Sequence, residues 1–225
     1  MGYCSRSQAE KLIAAGKVTV GGKKIIDPSF RLTPEREKIL VEGNAVARKK
    51  YYYIVLNKPA GYVTTRDDER GRKTVYDLLT GIDEWVFPVG RLDKDTSGLL
   101  IFTNDTKFGE QLTSPDSKVQ KVYRVTLDKP FLPAHKELLE QGMELDGENL
   151  LPAAIKIVDG GKNPVIEMTI IEGKNRQVRR MCESLGYAVL SLQRITIGGY
   201  RLGNLKEGTW KYMTNEEVEM LAGKK

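Results

Sequence analysis

Residues 90–102 read Gly-Arg-Leu-Asp-Lys-Asp-Thr-Ser-Gly-Leu-Leu-Ile-Phe, a dense polar loop that runs directly into an apolar segment. The four apolar residues 99–102 predict a buried central strand, because a short unbroken apolar run is typical of a strand covered on both faces. Asp93 and Asp95 stand in the loop just before that strand. The sequence therefore indicates a polar site beside the core.

Calcium binding is the first chemistry that this loop suggests. Asp93, Asp95 and Ser97 match the opening of an EF-hand loop, but the twelfth position is Asn104, which cannot supply a bidentate carboxylate. The flanking segments also read as strand and not as helix. Both observations argue against calcium.

Catalysis by a carboxylate is the second chemistry. An ordinary aspartate is ionised at neutral pH, and nearby basic residues favour the ionised form, so Asp93 is suited to act as a nucleophile. A turn aspartate that caps its own loop is the structural alternative. The residues alone do not decide between the catalytic and the structural interpretation of Asp93.

The rest of the chain predicts an α+β fold. Beyond residue 50, apolar alternation predicts strands at 51–56, 99–102, 122–127, 165–171, 189–197 and 210–213. Helical spacing predicts helices at 133–141, 177–185 and 215–221. Strands outnumber helices and do not alternate strictly with them, so we expect a larger mixed, mainly antiparallel sheet rather than a doubly wound α/β fold.

The first 43 residues predict a separate small α+β module. Ser7 and Glu10 have the spacing of a capping box at the start of a helix that ends near Gly16. Strands at 17–20 and 23–26 are joined by a two-glycine turn, and another strand follows at 38–41. We expect a module at 1–43, a linker at 44–50 and a second domain at 51–225.

The excess positive charge lies in the N-terminal part. Of 36 basic and 30 acidic residues, the first 50 positions hold 11 basic and 5 acidic ones, and the remaining 175 are balanced. A basic module on a neutral body suggests a nucleic-acid tether, although a merely basic surface fits the charge equally well.

Composition excludes several classes of function. Two cysteines and one histidine cannot build a disulfide framework, a structural zinc site or chemistry based on several histidines. No apolar run has the length of a membrane span, and no leader pattern is present, so we expect no membrane contact and a reduced, cytoplasmic compartment.

Four segments occur in an order that resembles a known enzyme family. They are residues 56–61 (Leu-Asn-Lys-Pro-Ala-Gly), 90–100 followed by Thr-Asn-Asp at 103–105, 121–125 (Lys-Val-Tyr-Arg-Val) and 172–181 (Glu-Gly-Lys-Asn-Arg-Gln-Val-Arg-Arg-Met). Together they resemble the ribosomal RNA pseudouridine synthases of the RsuA/RluB/RluE/RluF type, over essentially residues 51–220. The resemblance implies isomerisation of one uridine in ribosomal RNA, without a cofactor or metal.

The resemblance also implies roles for individual residues. Asp93 would be the nucleophile, Tyr123 would stack on the target base and take part in proton transfer, and Arg179 would pair with Asp93. Without the resemblance, Tyr123 would be interpreted as an ordinary aromatic residue of a strand and Arg179 as one more exposed charge. The flipped-out nucleotide and its phosphates would be bound by the following residues: Arg91, Lys174, Arg176, Arg180 and Leu192.

The N-terminal module resembles an S4-type RNA-binding domain, from Cys4 to Val20. The family begins this module with a helix slightly earlier, whereas Met1 falls just before the match here, so we expect a truncated or incomplete start. The basic residues expected to contact RNA are Arg6, Lys11, Lys17, Lys23 and Lys24.

Partner and substrate follow from the same resemblance. We expect ribosomal RNA or a ribosome-assembly intermediate as the partner, a monomeric chain, and a large-subunit target because the run at 174–180 is more like large-subunit members. An N-glycosidase using Asp93 and Asp95, and a non-catalytic RNA-binding factor on the same scaffold, are the competing interpretations.

Overall fold

The computed structural model describes residues 3–32, 37–46 and 50–221. The N-terminal module begins with α1 (Arg6–Ala14), which Ser5 caps by accepting a hydrogen bond from the main-chain nitrogen of Gln8 while the Gln8 side chain accepts one from Ser5. The prediction of Ser7 and Glu10 as the capping box is therefore wrong by two residues. Ser5 and Gln8 offer the same spacing one half-turn earlier, and the chain uses that pair.

A four-stranded antiparallel sheet completes the module. Its strands are β1 (Val18–Val20), β2 (Lys23–Ile25), β3 (Ile39–Val41) and β4 (Asn44–Ala45), in the order β2-β1-β3-β4. The two-residue strand β4 lies within the segment predicted as a linker, and residues 47–49 of that segment lie outside the described residues. Met1 and the start of the module also lie outside them.

One large sheet dominates residues 53–212. It runs in the order β11-β12-β8-β13-β7-β5-β15, with β14 beside β13 and β6 beside β7. All strand pairs are antiparallel except β13 with β7. The predicted mixed, mainly antiparallel α+β architecture is confirmed. Its strands are β5 (Tyr53–Lys58), β6 (Phe87–Pro88), β7 (Ser97–Thr103), β8 (Lys121–Leu127), β11 (Ala154–Asp159), β12 (Val165–Ile170), β13 (Val189–Ile197), β14 (Tyr200–Arg201) and β15 (Trp210–Tyr212).

Four helices and a hairpin lie against or beside this sheet. They are α2 (Thr106–Thr113), α3 (Pro133–Gln141), α4 (Gln177–Ser184), α5 (Asn215–Leu221) and the hairpin of β9 (Met143–Leu145) with β10 (Glu148–Leu150). No helix in the described ranges combines the length and the apolar composition that a bilayer crossing requires.

Strand β7 is the centre of the core. Its residues 99–102 are completely buried, as the apolar run predicts. Leu99 and Ile101 pack on the side that carries α2 and α5, while Leu100 and Phe102 pack on the opposite side. A further cluster joins β8, β12 and β13 to α3 and α4.

Gly98 lets β7 lie unusually close to β13. Its φ is +102°, and a Cβ atom at this position would be 2.2 Å from the carbonyl oxygen of Arg194. Only glycine tolerates both the positive φ and the close carbonyl oxygen without a shift of one strand. The close contact fixes the polar loop before β7 against β13.

Candidate active site

A cleft of about 490 Å³ opens where the polar loop meets the sheet. Its floor is formed by side chains from β8 and β13, and its walls by residues 89–96 and 170–178. Asp93, Tyr123 and Leu192 all line it. The structure thus brings together three side chains from three separate parts of the sequence.

The Asp93 loop is held from inside by a buried lysine. Lys58, at the end of β5, has no exposed surface, and its ammonium group lies 2.8 Å from the carbonyl oxygen of Thr96 and 3.1 Å from that of Asp93. It also contacts the carbonyls of Pro59 and Lys94. Burial lowers the pKa of Lys58 to about 8, against an ordinary value of 10.5, with opposing contributions from Asp93 and Asp95.

Two further hydrogen bonds to main-chain carbonyls fix the same loop. The Thr64 hydroxyl donates to the carbonyl of Leu92 at 2.7 Å, and the Gly61 nitrogen donates to the carbonyl of Lys94 at 2.7 Å. Asp93 lies between these two anchored residues, and its side chain remains partly exposed to the cleft. The loop therefore presents a carboxylate on a rigid support.

The floor of the cleft is a patch of one sheet face. Tyr123 on β8 is directly opposite Arg194 on β13, so the two side chains project to the same face. Leu192 lies two residues before Arg194 on β13, and Lys121 lies two residues before Tyr123 on β8, so both share that face. Tyr123 is half-buried and Leu192 is 6% exposed, which gives the cleft an apolar surface beside the carboxylate.

Arg179 reaches the loop through main-chain carbonyls. The residue is only 8% exposed, which excludes its interpretation as a solvated charge. Its guanidinium donates to the carbonyl of Asp95 at 3.0 Å and to that of Val189 at 3.3 Å. Among the described residues no ion pair joins Arg179 to the Asp93 carboxylate, and Arg179 is not one of the residues that line the cleft.

The predicted phosphate-binding residues divide into two groups. Arg91, Lys174 and Arg176 line the cleft, and Arg91 and Arg176 are exposed. Arg180 instead forms ion pairs with Glu148 and, at 3.6 Å, with Asp146 on the β9–β10 hairpin. The structure therefore does not bring Arg180 to the cleft.

The predicted RNA contacts of the N-terminal module lie on its surface. Arg6 pairs with Glu10 one turn further along α1, and Lys17 pairs with Glu42 at 2.7 Å, which raises the pKa of Lys17. The other three, Lys11, Lys23 and Lys24, are exposed on α1 and β2.

Sequence reasoning missed three buried or half-buried cations around the cleft. Lys58 supports the loop from below, and Lys121 and Arg194 form part of the floor. No pattern along β13 marks Arg194, because Leu192 precedes it and Thr196 follows it at the alternating positions of the strand. No group of three histidine, cysteine or acidic side chains suited to a metal ion occurs within residues 3–32, 37–46 and 50–221.

Known proteins share both the sequence and the fold of this chain. A family model described as RNA pseudouridylate synthase matches residues 52–184, and one described as S4 domain matches residues 1–37. The chain is 39% identical over 226 residues to a ribosomal large subunit pseudouridine synthase B of Bacillus subtilis, covering 98% of this chain and 91% of that protein.

Two further similarities agree with these matches. The chain is 38% identical over 218 residues to a ribosomal small subunit pseudouridine synthase A of Vibrio parahaemolyticus, covering 96% of this chain and 93% of that protein. A crystal structure of a pseudouridylate synthase superposes with a TM-score of 0.71 at 33% identity, covering 98% of this chain and 95% of the other.

Proposed function

The chain belongs to the RNA pseudouridylate synthase family, and we propose that it converts one uridine of ribosomal RNA to pseudouridine with Asp93 as the nucleophile. The cleft carries this proposal, because it brings a loop-anchored carboxylate together with an aromatic ring and an apolar side chain in one cavity of about 490 Å³.

The reaction explains why a carboxylate is needed. The bond between ribose C1′ and uracil N1 breaks, the ring turns, and C5 forms the new bond to C1′; C5 then gives up its proton and N1 takes one up, so that the product is an isomer of uridine. Nothing is oxidised or hydrolysed. Asp93 either bonds to C1′ as the N1 bond breaks and leaves again when C5 attacks, or takes the proton from C2′ to give a glycal and returns it when the C1′–C5 bond forms. Both routes need the ionised carboxylate at the sugar.

Tyr123 and Leu192 would hold the base. A flipped-out uracil can stack on the Tyr123 ring and lie over the Leu192 side chain, since both line the cleft next to Asp93. The Tyr123 hydroxyl would also take part in the transfer of the C5 proton. Base stacking on an aromatic side chain is worth about 1–3 kcal/mol, which offsets part of the cost of unstacking.

Arg179 would act as a positioning residue. Its hydrogen bond to the carbonyl of Asp95 fixes the loop two residues after Asp93, together with Lys58 on the other side. Formation of an ion pair between Arg179 and Asp93 would need rotation of the guanidinium towards the cleft once RNA is bound. In either geometry Arg179 sets the direction of the carboxylate.

Cations at the mouth of the cleft would bind the RNA backbone. Arg91, Lys174 and Arg176 surround this mouth and are suited to the phosphates that flank the target nucleotide. The five basic surface residues of the N-terminal module would add affinity that does not depend on sequence. Arg180, held on the β9–β10 hairpin, would contribute at the edge of this surface.

The substrate class rests on the relatives. The two relatives named above are ribosomal pseudouridine synthases, one for each subunit, at 39% and 38% identity. We propose a large-subunit target from the sequence of residues 174–180. A monomer that acts on ribosomal RNA or an assembly intermediate, in the compartment where ribosomes assemble, is part of the same proposal.

Mapping of pseudouridines tests this function. Unmodified transcripts of both ribosomal RNAs are incubated with the full chain, and pseudouridines are located by sequencing after chemical labelling. We expect one new pseudouridine in the large-subunit RNA and no abasic site or free uracil. An abasic product would indicate an N-glycosidase, and binding without any product would indicate a non-catalytic factor.

A further inference from the structure

The floor of the cleft holds an arginine whose charge has no acidic partner among residues 3–32, 37–46 and 50–221. Arg194 is 5% exposed, and its Nε donates to the carbonyl of Leu99 at 2.8 Å. Its Nη2 atom is buried and has no hydrogen-bond partner within the described part of the chain. A buried donor without a partner is destabilising, and more so when it is charged, so a function is expected to compensate for it.

A second cation, Lys121, lies near this arginine and adds to the positive charge of the floor. Lys121 lines the same floor and is partly buried. Burial lowers the pKa of Lys121, and the charge of Arg194 lowers it further. No carboxylate lies within 4.0 Å of either cation among the residues described, although the cleft is also lined by Asp93 and Glu172.

Glu172 is already occupied elsewhere. Its Oε1 atom accepts from Gln177 at 2.6 Å and from the main-chain nitrogen of Leu151 at 2.8 Å. Asp93 is directed to the sugar in the proposed mechanism. The two floor cations therefore face the cleft as an excess of positive charge.

The depth of these cations decides which part of the nucleotide they meet. Phosphates stay hydrated and contact exposed cations such as Arg91 and Arg176 at the mouth. Only the flipped base can reach the floor, where Tyr123 and Leu192 flank Arg194 along the same face. The ligand of the floor cations is therefore the uracil ring.

We propose that Arg194, with Lys121 beside it, stabilises the uracil anion that exists between cleavage of the C1′–N1 bond and formation of the C1′–C5 bond. When the first bond breaks, its electron pair stays on N1 and spreads to the ring carbonyl oxygens. Arg194 lines the floor, so a small shift of its guanidinium lets the buried Nη2 donate to one of these oxygens, which binds the transition state better than the neutral base. This inference rests on the proposed isomerase function.

The test compares two substrates whose rings differ in the stability of their anions. An RNA fragment around the mapped uridine is made with either uridine or 5-fluorouridine at the target, since the fluorine withdraws electrons and stabilises the detached ring. Loss of the target nucleoside is followed by chromatography of nuclease digests under single-turnover conditions. The variants are Arg194→Met and, as an exposed control outside the cleft, Arg201→Met.

We expect Arg194→Met to slow the uridine reaction about 100-fold, the loss typical of removing one donor from a developing anion. The loss should be clearly smaller with 5-fluorouridine, and Arg201→Met should change neither rate by much. Equal losses on both RNAs, or no loss, would overturn the inference, because a purely structural residue cannot distinguish the two rings.

Folding and function are separated by two further measurements. Arg194→Met should keep cooperative thermal unfolding, because methionine removes a buried charge that has no acidic partner among the described residues and breaks only the hydrogen bond to the Leu99 carbonyl. If that variant does not fold, Arg194→Lys and Lys121→Met undergo the same comparison and must show the same difference between substrates. If the native chain modifies no ribosomal uridine, the proposed function itself fails, and this inference fails with it.

Discussion

The guanidinium of Arg179 donates to the main-chain carbonyl of Asp95 over 3.0 Å, and so ties helix α4 to the loop that carries Asp93. Lys58 holds the same loop from β5 through the carbonyls of Asp93 and Thr96. Two cations thus fix the Asp93 loop by its backbone, which leaves the Asp93 carboxylate free to face the cleft. Rigid support of this kind is what a positioned nucleophile requires.

Arg179→Ala should reduce the single-turnover rate by about 10²-fold, because a loop displaced by about 1 Å misplaces the carboxylate. Arg180→Ala is the matched control one residue away. It removes ion pairs with Glu148 and Asp146 and an RNA contact outside the cleft, so its rate at saturating RNA should stay close to native and its stability should change by about 0–1 kcal/mol. Equal rate losses for the two variants would show that Arg179 has no special link to the loop.

The activity should fall above about pH 8 as Lys58 loses its proton. The folded chain releases this proton near pH 8, whereas the unfolded chain holds it up to about 10.5. Between these values the unfolded state binds more protons, so the contribution of Lys58 to the free energy of unfolding rises with pH while the rate falls.

Rate measurements across the alkaline range check this assignment. Lys58→Met should be slow at every pH and should lack the falling limb that the native chain shows as Lys58 titrates. Persistence of that limb in Lys58→Met, together with its disappearance in Lys121→Met, would assign the titration to the floor of the cleft instead.

Gly98→Ala should destabilise the fold by about 3 kcal/mol, because the new methyl group meets the Arg194 carbonyl and the φ of +102° is strained for alanine. Gly160→Ala is the control, since no atom lies within 4 Å of a Cβ there and the backbone is outside the left-handed region. Denaturant unfolding should show a change within about 0.5 kcal/mol for Gly160→Ala. A similarly small change for Gly98→Ala would contradict the close β7–β13 approach.

The basic surface of the N-terminal module should contribute to the salt dependence of RNA binding. Replacing Lys11, Lys23 and Lys24 with glutamine in the full chain should lower the slope of log K against log salt by roughly 0.7 to 0.9 for each phosphate that is no longer neutralised. The rate at saturating RNA should change far less than the affinity. Identical slopes for the native and substituted chains would mean that the module is not an RNA tether.

The strongly periodic elements were predictable from sequence. Strand β13 (Val189–Ile197) and helices α3 and α5 have the predicted bounds, because their apolar spacing is long and regular. The β9–β10 hairpin and β14 were missed, since strands of two or three residues carry too little alternation to be recognised. Helix α2 was missed as well.

The site was predictable only in part. Asp93, Tyr123 and Leu192 were identified through the resemblance to the family, and the structure brings them into one cleft. The burial of Lys58 and Arg194 could not be foreseen, because it arises from the approach of β5, β7 and β13, which are far apart in the chain. The hydrogen bonds of Arg179 depend on the same tertiary arrangement.

The role of Asp93 is tested most directly by the single-turnover rate of Asp93→Asn on the mapped uridine, with Asp95→Asn as the control in the same loop. The asparagine is nearly isosteric and uncharged, so folding and RNA affinity should be close to native. We expect the rate of Asp93→Asn to fall on the order of 10⁴-fold or more, as for loss of a nucleophile, while Asp95→Asn keeps most of its rate. Turnover by folded Asp93→Asn comparable to that of Asp95→Asn would contradict the assignment.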